Sequence, residues 1–249
     1  MSELEFYFTE FLAELQAIEQ LAAPFIRTGS ESILRGLASD LKNIRDSNSD
    51  RTFDWTIPQT SPLRTITSPG SYEKHPRRGS DHVLAEISFI WEIRRLRTKR
   101  KENPKFQLAG KASSRIRLCR DAGQERFYEV GLWKMDVADA YSPGCHFHVQ
   151  VLGERRRKPF PKSISVPRFP IFLATPMGAL DFVLGEVFQD EWARRVARDS
   201  GEQKMWNRIQ ALRFTRLSDW HKEIVKNEGG SPWIAIKNSK PSPQLFLET

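Results

Sequence analysis

His82-Val-Leu-Ala-Glu-Ile-Ser-Phe-Ile-Trp-Glu-Ile-Arg94 decides the reading of this chain. Val83, Ala85, Ile87, Phe89, Trp91 and Ile93 alternate with His82, Glu86, Ser88, Glu92 and Arg94. A period of two is the pattern of a half-buried strand, with one face on a core and the other toward water. The pattern returns downstream. After the turn-like stretch TKRKENP, Phe106, Leu108, Gly110, Ala112, Ser114, Ile116 and Leu118 alternate with Lys105, Gln107, Lys111, Ser113, Arg115 and Arg117. Asp121-Ala-Gly-Gln marks a turn, and Phe127 to Val137 reads as a third strand. Ala138 to Gly144 turns again, and Cys145, Phe147, Val149 and Val151 make the inner side of a fourth. Four strands joined by short turns predict an antiparallel meander with one face buried.

Upstream the period is helical. Phe8, Phe11, Leu12, Leu15, Ile18, Leu21 and Ala22 fall on one face of a helix over about 4–27, and Ile33, Leu34, Leu37, Leu41 and Ile44 on one face of a second with Ser30 as its N-cap. Residues 1–46 therefore read as an acidic helical hairpin. Residues 47–81, rich in Ser, Thr, Pro and Asp, read as a linker or long loop. Downstream, Thr175-Pro176 is a helix start: a capping hydroxyl followed by proline at the first helical position. It opens a helix to about Arg198. Another runs from Met205 to Gly229, and SPWIAIKN suggests a short strand. The expected fold class is α+β, with C-terminal helices packed on the sheet and residues 82–249 forming a basic α+β domain.

The chain has 249 residues, 39% hydrophobic and 28% charged, so it can bury a substantial core and is not a disordered segment. No apolar run approaches the roughly 18 residues of a membrane span, so no membrane partner is expected. The acidic beginning MSELEFYFTEF lacks the bases of a signal peptide. Two cysteines, Cys119 and Cys145, build neither a disulfide framework nor a metal knuckle. The expected compartment is the cytoplasm. Glycine-rich phosphate loops, dinucleotide fingerprints, nucleophile elbows and H-E-x-x-H are missing from the sequence.

Charge placement says more than net charge. The chain carries +8 overall, yet residues 1–50 hold nine acids against four bases. The windows 94–120 and 154–168 together hold +15. Such clustering is the footprint of a polyanion partner. The candidate nucleic-acid contacts are Arg94, Arg95, Arg97, Lys99, Arg100, Lys101, Lys111, Arg115, Arg117, Arg155, Arg156, Arg157, Lys158 and Arg168, with Tyr128 as an aromatic on the same sheet face.

A second cluster, Cys145-His146-Phe147-His148, carries the alternative chemistry. On a strand, His146 and His148 leave the same face, about 7 Å apart. A turn centred on Tyr141 would set Asp136 opposite His146 and Lys134 opposite His148. His146, His148 and Asp136 are thus candidate catalytic residues for phosphodiester hydrolysis. The two histidines are also candidate ligands of a divalent metal, although no cofactor is required by the sequence. The leading expectation is an accessory protein, not an enzyme. It would bind single-stranded RNA or DNA through the basic sheet and loops, and a protein partner through residues 1–46. A protein–protein adaptor without nucleic-acid binding is the third expectation.

Overall fold

The computed structural model describes residues 3–47, 49–68, 82–97, 104–121, 123, 126–138, 145–151, 168–172, 175–227 and 230–247. The alternating segments form four long antiparallel strands: β4 (Val83–Arg95), β5 (Lys105–Asp121), β6 (Phe127–Val137) and β7 (Phe147–Val151). The sheet is larger than the expected meander of four. It also contains β1 (Glu5–Tyr7), β2 (Thr52–Ile57), β3 (Leu63–Arg64) and β8 (Arg168–Pro170), in the order β2-β4-β5-β6-β7-β8. β1 pairs with the start of β5, and β3 with β4.

Two corrections follow from the extra strands. The stretch 47–81, expected to be linker, supplies β2 and β3, because Trp55 and Ile57 are buried against β4. Residues 69–81 lie outside the described residues. The first helix begins only at Phe8, since Glu5–Tyr7 pairs Glu5 with Gln107 and places Phe6 in the core.

Among the described residues six α-helices accompany the sheet: α1 (Phe8–Ala22), α2 (Glu31–Asp46), α3 (Pro176–Phe188), α4 (Asp190–Val196), α5 (Gly201–Asn227) and α6 (Pro232–Asn238). No helix among the described residues is long and apolar enough to cross a membrane. α3 starts as Thr175-Pro176 predicts: the Thr175 hydroxyl accepts from the Gly178 N–H at 3.0 Å. The single helix expected to Arg198 is two, broken at Gln189, whose φ of 44° lies in the left-handed region. Residues 232–238, expected to be a strand, are α6, entered through Ser231-Pro232. Ser30 precedes α2 but does not cap it with its side chain; its hydroxyl accepts instead from the Arg64 N–H at 3.4 Å.

One apolar cluster joins α1, α2, α3 and α5 to the inner face of the sheet. Phe6, Phe11, Trp91 and Phe106 pack ring to ring, with Phe11 edge-on to Phe106 at 4.8 Å. Trp55 Nε1 donates to the Leu37 carbonyl at 3.2 Å, fixing α2 to β2. Phe182 of α3 meets Trp133 of β6, and Trp220 of α5 meets Phe147 of β7. The helices therefore occupy the face carrying Trp55, Trp91, Ile116, Met135 and Phe147, and the alternate residues of the same strands point the other way.

Candidate nucleic-acid interface

Pairing across the strands brings one row of the outer face together: Ser88 opposite Arg115, Arg115 opposite Lys134, Lys134 opposite Gln150, and Gln150 opposite Arg168. The row crosses five strands, about 19 Å at the usual strand spacing. Arg115 and Lys134 face each other directly, a like-charge placement that costs stability in an antiparallel sheet. Arg115 is held by the Gln59 carboxamide oxygen at 2.5 Å, and Lys134 by Asp136 at 3.3 Å. Lys111 stands beside both.

Two adjoining pockets lie along this row. One, of ≈ 330 Å³, is lined by Lys111, Lys134, Asp136, His148, Gln150 and Arg168 among others; the other, of ≈ 280 Å³, by Thr56, Gln59, Ser88, Lys111, Ser113 and Arg115 among others. They share Lys111 and Lys134 and so form a continuous basic trough.

Toward the far end of β5 the outer face mixes charge with buried Leu84, Cys119 and Leu132. The Glu86 carboxylate, 4% exposed, is clamped by Arg64 at 2.9 Å and by Arg117. A bulge pairs Leu118 with Gly131 but Cys119 with Glu129, so the alternation of β6 inverts there. That inversion corrects the placement of Tyr128, which falls on the opposite face. It brings Phe127 to the outer face instead, with the Arg27 and Arg64 guanidinium groups 5.7 and 5.6 Å from its ring centre. Burial pushes the Cys119 thiol up from its ordinary value.

The histidines separate. The β6–β7 pairing centres on residue 142 rather than Tyr141, so Asp136 stands opposite His148 and Lys134 opposite Gln150. The shift is two residues, which preserves the face and changes the partner. His148 is buried, its Nδ1 2.9 Å from the Cys145 carbonyl oxygen. A carbonyl only accepts, so Nδ1 carries the proton and Nε2 presents a lone pair. That Nε2 lies 3.6 Å from Asp136 Oδ2 and 3.4 Å from the Gln150 amide nitrogen. Burial lowers the pKa of His148 while Asp136 opposes the shift. His146 lies outside both pockets, with its carbonyl accepting from the Ala138 N–H at 2.7 Å. Burial, then His148 and Lys240, bring its pKa down to about 4. Among the described residues, no group of three or more His, Cys, Asp or Glu could hold a metal ion.

The other basic candidates divide three ways. Lys99, Arg100, Lys101, Arg155, Arg156, Arg157 and Lys158 lie outside the described residues. Arg94 donates to Gln107 at 2.6 Å, and Arg97 pairs with Asp50 at 2.6 Å, both near the other end of β4. Arg95 is half-buried. Lys111, Arg115, Arg117 and Arg168 share the outer face, joined by Lys134, Arg64 and Phe127, which sequence reasoning did not include. Lys134 was legible as an alternate of Trp133 and Met135. Arg64 depended on a strand too short to show a period, and Phe127 on a bulge whose one signal was Gly131 inside the β6 pattern.

Compared with protein-family models, with curated proteins and with solved structures, the chain shows no match.

Proposed function

We propose that this chain is an accessory protein that binds single-stranded nucleic acid in the trough across its outer sheet face. The observation that carries the reading is the direct opposition of Arg115 and Lys134, extended by Lys111 and Arg168. Like charges held face to face are unfavourable in the free protein and become favourable when an anion lies between them. Cations spread from β5 to β8, about 14 Å, suit a chain of phosphates better than one small anion.

A protein partner would meet the polar solvent side of α1 and α2, because their apolar sides are used against the sheet. Electrophoretic mobility at low salt tests the main reading. Labelled single-stranded RNA or DNA should be retarded by the wild-type chain and not by Lys134→Glu combined with Arg115→Glu. An unretarded probe with the wild-type chain would overturn it.

Phosphodiester hydrolysis remains the second reading, favoured by His148 Nε2 facing Asp136 inside the trough. An imidazole lone pair beside cations has the makings of a general base for water or a sugar hydroxyl. Cleavage of bound RNA that His148→Gln abolishes would support it, and RNA recovered intact would remove it.

A further inference from the structure

The pocket at the β8 end of the trough is not lined as a simple anion site would be. Lys111, Lys134 and Arg168 carry donors only. Set among them is an acceptor, the Asp136 carboxylate, with its side chain 14% exposed, beside His148, whose Nε2 lone pair faces the Gln150 amide nitrogen at 3.4 Å. A carboxylate repels phosphate, and a site for phosphate alone would omit it. A carboxylate also offers about four lone-pair positions. The contacts from Lys134 and His148 both fall on Oδ2. The Nδ1 proton on the Cys145 carbonyl fixes the acceptor character of Nε2.

A ligand matching this lining must bring an anionic oxygen and, close to it, a hydroxyl that donates. We infer that this pocket is a ribose-phosphate subsite, and that the chain prefers RNA to DNA because Asp136 accepts from the ribose 2′-hydroxyl while Lys111, Lys134 and Arg168 hold the adjoining phosphate. In RNA that hydroxyl sits on the carbon next to the one bearing the 3′ phosphodiester, and DNA lacks it. The inference rests on the nucleic-acid reading above.

The test is equilibrium binding of the full chain, by fluorescence anisotropy at low salt, to three oligomers of one base sequence: RNA, DNA and 2′-O-methyl RNA. RNA should bind tighter than the other two by roughly 5–150-fold, the range for a buried acceptor left without its donor. Asp136→Ala removes a negative charge and should therefore tighten DNA binding while weakening RNA, so that the two converge. Equal affinity of the wild-type chain for all three oligomers would overturn the inference and leave nucleic-acid binding standing. Asp136→Ala tightening RNA as much as DNA would do the same. Binding of none of the three overturns the nucleic-acid reading itself. Should Asp136→Ala fail to fold, the wild-type comparison alone decides.

Discussion

The Arg115–Lys134 opposition makes a prediction about single residues. Removing one charge from a pair that repels should help the free protein even as it harms binding. Arg115→Gln is expected to leave thermal stability unchanged or raised by about 0.2–1 kcal/mol, the size of one cross-strand pair, while weakening RNA binding. A clear loss of stability would mean that the hydrogen bond to Gln59 is the residue's purpose. His146 gives a second prediction. Its pKa near 4 in the folded chain lies below the ordinary histidine value of 6.5, so the unfolded chain binds the proton more readily. Its contribution is complete above pH 6.5 and is lost as the pH falls toward 4, up to about 3 kcal/mol. Chemical unfolding between pH 7 and pH 4 should show this fall, and His146→Gln should flatten it. The residues of the outer face were largely legible, since alternation alone assigns Lys111, Ser113, Arg115 and Arg117 to it. Their partners were not. His148 rather than His146 meets Asp136, because alternation fixes the face of a strand and leaves a register shift of two residues open.

At the scale of elements, Thr175 joins a cap to a buried network. Its hydroxyl accepts from the Gly178 N–H and donates to Glu14 Oε1 at 2.8 Å, where Gln210 at 2.7 Å and Arg213 also converge. Thr175→Ala should lose the cap and deprive a buried carboxylate of a donor, about 2 kcal/mol together. Thr175→Ser should recover most of that, and urea unfolding of both variants measures the difference. The long strands β4 to β7 were legible because each alternates over many residues. β2 was hidden because Thr52–Ile57 sits in a stretch whose Ser, Thr and Pro content reads as loop, although Trp55 and Ile57 mark its buried side. β1 and β8, three residues each, are too short for any period to register. α6 was misassigned because Trp233, Ile234 and Ile236 favour strand, while Ser231-Pro232 carried the helix-start signal that also opens α3. The bulge opposite Cys119 leaves Val130 of β6 unpaired and moves Tyr128 off the outer face and Phe127 onto it; Gly131, an isolated glycine inside the strand, was its signal in the sequence.

For the molecule as a whole, the acidic first helices and the basic sheet share one core. Phe8, Phe11, Leu15 and Ile18 of α1 pack with the inner sheet face, and Phe246 near the chain's end stacks on Phe6 at 5.1 Å. A fragment of residues 82–249 would therefore expose the inner sheet face, and it should aggregate or melt well below the full chain. A soluble monomeric fragment of equal thermal stability would show the hairpin to be a separate unit. Packing helices on one face leaves on the other a polar row where the cations of several strands line up, beside buried Leu84, Cys119 and Leu132. The most direct test of that surface's role is the salt dependence of binding to single-stranded RNA. Contacts from Lys111, Arg115, Lys134 and Arg168 predict a slope of log K against log salt of about −3, and roughly half that, with weaker binding, for Arg115→Gln combined with Lys134→Gln. No binding by the wild-type chain at 50 mM salt, or an unchanged affinity and slope in the folded double variant, would contradict the account.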